Sequence, residues 1–215
     1  MPTERVMPEM MATLSVPGAS EWLGLSDDLL AGLVHALNNR VTALSVCAEL
    51  AGFGDAQVLS DGVLLAEVAR LQRTSALLAQ LPARGHPEAL EIAPVLLDAI
   101  AIHSHHPRMR ATECTLVPHG ELQPVRVPRW ALLRLLLLVV DATKAGAIGS
   151  GRGASLHLSS DERDVRMRAA APGVEGGYAS EMASLCGGTL ARDGEDVVLT
   201  LPSLSEVRRR EQPGA

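Results

Sequence analysis

The chain has 215 residues, of which 47% are hydrophobic, and a formal net charge of −6. That length holds one large or two small domains with ample apolar content for a core. The modest acidity and only four aromatic residues (Trp22, Trp130, Tyr178 and Phe53) argue against a nucleic-acid reader, which needs a basic face or stacking platforms. With so few aromatics the core must be built from Leu, Val and Ala, which favours helix–helix packing.

Residues 1–22 lack periodicity for most of their length and read as a flexible tail. Ser26-Asp27-Asp28 then offers an N-cap and an acidic first turn for a helix running to about Ala51. Within it Leu30, Val34, Leu37, Val41, Leu44, Ala48 and Ala51 recur at spacings of four and three, the seam of a helix in a bundle. Gly52-Phe53-Gly54-Asp55 breaks this helix and caps a second, striped by Leu64, Val68, Leu71, Leu78 and Leu81 and stopped by Pro82. A short turn between long helices makes them antiparallel neighbours, so residues 23–83 form a helical hairpin. Two helices cannot bury such stripes on all sides, and a homodimer closing a four-helix bundle is the expected solution.

From about residue 84 the pattern changes. Strands are predicted over 89–92, 112–117, 154–158, 165–169 and 197–201, and helices over 94–102, 128–145 and 179–186. Their alternation predicts a layered α/β sandwich over 84–203, so the fold class is α+β: a hairpin followed by a sandwich. Residues 204–215, with Arg208-Arg209-Arg210 and Pro213-Gly214, are expected to be disordered. Cys47, Cys114 and Cys186 are odd in number and far apart, which fits a reducing cytosol and no disulfide framework. No signal-peptide core is present, and the longest apolar run, 135–140, falls far short of the about 18–20 residues of a membrane span. A cytoplasmic protein without a membrane partner is the expectation.

The chemistry lies on the first helix. With the seam at positions a and d, His35 falls at b and Asn39 at f, both facing away from it. Residues four apart on a helix are neighbours, so the imidazole and the carboxamide form one exposed polar site. Such a pair suits a nucleophile that accepts and releases a phosphoryl group.

His35-Ala36-Leu37-Asn38-Asn39-Arg40 resembles the H-box of bacterial sensor histidine kinases. Three further pieces follow in family order. The stretch Leu-Leu-Arg-Leu-Leu-Leu-Leu-Val-Val-Asp-Ala-Thr-Lys-Ala (132–145) is similar to the N-box helix, Ala169-Ala170-Ala171-Pro172-Gly173-Val174 sits where the family has Asp-x-Gly-Pro-Gly-Ile, and Gly187-Gly188-Thr189-Leu190 before residues 197–202 looks like the closing Gly-Gly turn and final strand. The resemblance implies a dimerisation and phosphotransfer hairpin followed by a kinase-type ATPase domain. It also implies which parts are missing. The acidic residue after the histidine is Ala36, and Arg40 replaces the family proline. The magnesium-binding asparagine is Asp141, and its partner a turn earlier is Leu137. The adenine-reading aspartate is Ala169, the glycine after it Ala171, and the glycine-rich lid is reduced to Gly176-Gly177. Phosphoryl transfer from ATP depends on positioned metal and charge stabilisation. A surviving phosphoacceptor without that machinery resembles histidine phosphotransferases built on degenerate kinase scaffolds.

The resemblance therefore implies a phosphorelay protein that moves phosphoryl groups between receiver-domain aspartates through His35. Asn39 would orient water for dephosphorylation, response-regulator receivers would be the partners, and magnesium would be carried by the receiver. No cofactor or metal of the chain's own is expected. Two alternatives stand: a histidine kinase that binds ATP, and a non-catalytic dimer that sequesters response regulators. Asn38 lies off the His35 face and reads as structural, and Arg40 as a solvated helix residue able to attract a phosphoryl group. His103-Ser104-His105-His106 lacks acidic or cysteine partners at metal-site spacing and reads as cationic residues ending a helix. Gly149-Ser150-Gly151-Arg152-Gly153 precedes a strand and reads as a flexible turn, and Asp141 with Lys144 as a surface i,i+3 ion pair.

Overall fold

The structure, a computed structural model, describes residues 19–53, 62–82, 85–174 and 176–212. Helix α1 (Ala19–Gly52) runs 34 residues, about 51 Å, with no proline to break it. It is already helical at Ala19, so Ser26-Asp27-Asp28 lies inside the helix and caps nothing. Burial of Trp22 and Leu25 against the rest of the chain favours helix here over the local cap signal. Residues 1–18 of the expected tail and the turn residues Gly54 and Asp55 lie outside the described residues, but 19–22 belong to α1. Helix α2 (Val63–Leu78) follows with Gly62 as its N-cap and lies antiparallel against the later part of α1, where Arg40 reaches Glu67.

Strand β1 (Pro87–Leu90) and β3 (Val125–Pro128) pair antiparallel as a small ribbon. Between them come helix α3 (Ile92–His103) and strand β2 (Cys114–His119). Helix α4 (Arg129–Ser150) starts behind Pro128, whose fixed φ suits a helix entry, and ends on left-handed Gly151. Strands β4 (Ala154–Ser160) and β5 (Asp164–Ala169), helix α5 (Gly177–Leu185), and strands β6 (Thr189–Asp193) and β7 (Asp196–Pro202) complete a sheet in the order β2-β4-β5-β7-β6. Only β2 and β4 are parallel. On β4, β5 and β7 alternate residues (Leu156, Leu158, Val165, Met167, Leu199 and Leu201) are buried under the helices, which gives two layers. The fold is thus a long helical hairpin followed by an α/β sheet layer, and none of the described helices is long and apolar enough to cross a membrane.

Three elements differ from expectation. β3 is four residues, the last of them a proline, too short for a periodic signal. β6 is an exposed edge strand whose approach to β7 depends on Gly188: a Cβ there would meet the Thr200 carbonyl oxygen at 2.3 Å. The segment expected to be disordered contains helix α6 (Leu204–Glu211). Ser203 Oγ accepts the Glu206 N–H at 3.1 Å, Glu206 accepts from Arg209 and Arg210, and Arg126 reaches Glu211. The arginine run is the cationic last turn of a capped helix and is ordered by those pairs. Residues 213–215 lie outside the described residues.

The buried stripe of α1 is also not the predicted seam. Trp22, Leu25, Leu29 and Leu33 join the same apolar core as α3, α4 and the sheet, whereas Leu30, Val34 and Val41 are exposed. Trp22 stacks on Tyr178 at 5.9 Å, and Arg134 lies over both Trp22 and Trp130 while donating to the Tyr178 hydroxyl at 2.7 Å. Three of the chain's four aromatics thus anchor the start of α1 on α4 and α5. The fourth, Phe53 at the hairpin tip, is 88% exposed.

Candidate functional site

His35 and Asn39 sit on an exposed part of α1, and Asn39 Nδ2 donates to His35 Nε2 at 3.1 Å. An amide nitrogen can only donate, so Nε2 presents its lone pair and the ring proton resides on Nδ1. Asn38 is exposed, and its carbonyl accepts from Thr42 Oγ1. The two candidate residues therefore form the pair their spacing predicts, but they do not face open solvent alone.

One face of α1 (Gly32, His35, Asn39 and Arg40) lies across a cleft of about 490 Å³ from His105 and Arg110, in the segment after α3. Gly32 makes this approach possible: a Cβ on it would fall 1.8 Å from the His105 carbonyl oxygen. The segment is tied down on both sides of that contact. Arg108 donates to Asp28 of α1 at 2.6 Å, and the His106 ring reaches the same carboxylate at 3.3 Å. Backbone bonds from His105 to Ile102, His106 to His103 and Met109 to His106 fold it into consecutive turns.

A second cleft of about 250 Å³ shares Arg40 and His105 with the first and adds Arg70 and Arg73 of α2. Arg40 and Arg70 both donate to Glu67, which is buried between the helices. Burial opposes the Glu67 charge, but the hydrogen bonds from the two arginines outweigh it and hold the carboxyl below its usual range. Arg40 is thus a helix-to-helix tie as well as part of the cleft wall. Arg73 and Arg110 make no ion pair among the described residues, so the combined trough beside His35 is electropositive.

The histidine run does not end the helix as solvated cations. His103 and His106 are buried and stack at 5.2 Å, with His103 Nε2 on Asp141 Oδ1 at 2.9 Å. His106 Nδ1 accepts the Arg108 N–H, so its Nε2–H points at Asp28. Burial and the neighbouring His103 push the His106 pKa below its ordinary value against the pull of Asp141 and Asp28. No cluster of metal-ligating residues occurs among the described residues. The predicted Asp141–Lys144 surface pair is likewise corrected: Asp141 turns to His103, and Lys144 is only 2% exposed, its pKa lowered by burial. Gly149 and Ser150 extend α4, leaving only Gly151, Arg152 and Gly153 as the turn.

Of the positions that the family resemblance assigns to nucleotide and its metal, Asp141 is half-buried and bonded to His103, whereas three others are apolar and enclosed. Leu137, Ala169 and Ala171 are essentially fully buried in the core that α4 and α5 share.

No protein-family model and no curated protein matches the chain. Among solved structures it is similar to the cytoplasmic segment of the histidine kinase QseC, at 12% identity over 64% of this chain and 94% of that one, with a TM-score of 0.42. It is also similar to the Acinetobacter baumannii histidine kinase AdeS (16% identity, 79% of this chain and 96% of that one, TM-score 0.40). A third is a bacterial phosphotransferase solved at 1.7 Å (16% identity, 83% and 95%, TM-score 0.40).

The Asn39 bond and the exposure of His35 were legible from helical spacing. His105, Arg110, Arg70 and Arg73 were not, because they reach the cleft from elements remote in sequence. The only local signal was the glycine one turn before His35.

Proposed function

We propose that the chain is a histidine phosphotransferase of a two-component phosphorelay, passing phosphoryl groups between receiver-domain aspartates through His35. The observation that carries this reading is an exposed imidazole with its Nε2 lone pair presented by Asn39 in an electropositive trough. The neutral ring attacks the phosphorus of an aspartyl phosphate in line. The N–P bond forms as the P–O bond breaks, and the aspartate leaves as a carboxylate, so no proton need move. The Asn39 amide yields Nε2 to the incoming group and afterwards lies one turn away, placed to orient water. Magnesium belongs to the receiver.

Leu137, Ala169 and Ala171 do not fit Mg-ATP, since they offer neither a metal ligand nor an acceptor for the adenine amine and lie inside the core, and the one carboxylate at these positions, Asp141, is engaged by His103. That supports a transfer protein over a kinase. We propose further that residues 23–83 act as the dimerisation and transfer unit and 84–203 as a docking scaffold, in the cytoplasm. The exposed Leu30, Val34 and Val41, with the half-buried Leu37 and Leu44 alongside, form an apolar row suited to a second copy.

The deciding experiment is radiolabel transfer from a phosphorylated receiver. Wild type should acquire acid-labile phosphate, and His35→Gln should acquire none while keeping its circular dichroism. Asn39→Ala should label at near the wild-type rate and lose phosphate to water more slowly. Undiminished labelling of His35→Gln overturns the assignment, and a micromolar Mg-ATP binding isotherm with label entering His35 would restore the kinase reading.

A further inference from the structure

Resting on the phosphotransfer reading, we propose that Arg110 is a catalytic residue of the His35 site, supplied by the segment after α3 to neutralise the phosphoryl group on the imidazole. A phosphoryl group on His35 brings charged oxygens to a helix surface where Arg40 is already engaged by Glu67. Arg110 lines the same cleft and has no ion pair among the described residues, so its guanidinium is available to an arriving anion. A planar guanidinium matches two phosphoryl oxygens at once and is always charged.

The placement is built from several independent contacts. Gly32 admits the His105 carbonyl against α1 one turn before His35, at a distance no other residue would allow. Asp28 holds Arg108 and faces the His106 ring, and the turns from His103 to Thr112 set Arg110 beyond that anchor. The sheet-bearing part of the chain thereby completes the site on the hairpin. This explains why a scaffold without nucleotide residues is held so closely to α1. Arg126, on β3 and paired with Glu211, lines neither cleft and is the natural control.

The test uses two phosphoryl donors, a phosphorylated receiver and phosphoramidate, which has no protein surface. Initial labelling rates at His35 are measured for the full-length wild type, Arg110→Ala, Arg110→Lys and Arg126→Ala. Loss of a charge-assisted contact in the transition state predicts that Arg110→Ala slows labelling by about ten- to a hundredfold with both donors. Arg110→Lys should recover part of that loss, because charge remains without the planar fork. Arg126→Ala should stay within about twofold of wild type with phosphoramidate. If Arg110→Ala labels at the wild-type rate with both donors, the inference fails and the assignment of His35 stands. A loss confined to the receiver donor means that Arg110 contacts the partner's surface, which also overturns it. Absence of label in the wild type with either donor is instead a failure of the phosphotransfer reading itself.

Discussion

Helices α1 and α4 are the two longest in the structure, both rich in Leu, Val and Ala, yet they use that composition in opposite ways. In α4, twelve of 22 residues are buried, so it is enclosed on nearly all sides and forms the centre of the core. In α1 only five of 34 are buried, and a second apolar row is left outside. A helix apolar all round is consumed by its own fold. A helix with one stripe buried and another exposed keeps a face for a partner and, between the stripes, room for a polar site. His35 and Asn39 occupy that room.

The contrast is broken most forcefully by substituting one leucine on each helix. Leu37→Glu should leave the single chain folded, because Leu37 is only half-buried, but a charge placed in a dimer core costs several kcal/mol. Sedimentation should show a wild-type dimer and a variant monomer; a wild type that is monomeric at high concentration would remove the bundle. Leu136→Ala, fully buried in α4, should cost about 2–5 kcal/mol of folding stability in urea and leave the association state alone. Equal loss of stability from both variants would mean that the outer row of α1 is not free.

Gly32→Ala probes where the two parts meet. The new Cβ collides with the His105 carbonyl, and the displaced segment should cost about 1–3 kcal/mol by overpacking. It should also change Trp22 fluorescence, since Trp22 anchors the same face of α1. Unchanged stability and fluorescence would mean that the segment does not seat on α1.

The smallest effect is on pH dependence. Burial and His103 lower the His106 pKa in the folded chain, so the unfolded state binds more protons below the ordinary histidine range. Stability from this group is therefore full above about pH 6.5 and is lost as pH falls through the folded value. His105, lowered by burial and the Arg40 charge, acts with the same sign. Asp28, held below its ordinary range chiefly by the Arg108 hydrogen bond, loses its contribution only in stronger acid, and Asp141 opposes the shift from the other side of the ring pair. The urea midpoint should be lower at pH 5.5 than at pH 7.5, with a smaller difference in His106→Gln. A midpoint that rises on acidification would show that the two carboxylates dominate.

Much of the architecture was legible because its signals are local. The period of α1, the apolar run of α4 and the alternation of β4, β5 and β7 each span enough residues to show their repeat. The errors share a cause as well. β3 is short and paired with the remote β1, β6 is short and exposed at the sheet edge, and α6 is charged and held by capping and ion pairs, so each leaves little periodic trace. His103, His106 and Lys144 read as surface residues because their partners or their burial come from other elements.

By itself the sequence determined that His35 and Asn39 are neighbours, since helical geometry places residues four apart on one face whatever surrounds them. It determined too that α1 carries an apolar stripe longer than a two-helix hairpin can cover. Which stripe turns inward, and what stands opposite the imidazole, only the tertiary structure decided. Both stripes satisfy the same period, and the choice rests on Trp22 finding Tyr178 and Arg134, and on the His105 carbonyl finding Gly32, more than seventy residues away along the chain. Contacts at that separation depend on how sheet and helices bring the segments together, and no local pattern encodes them.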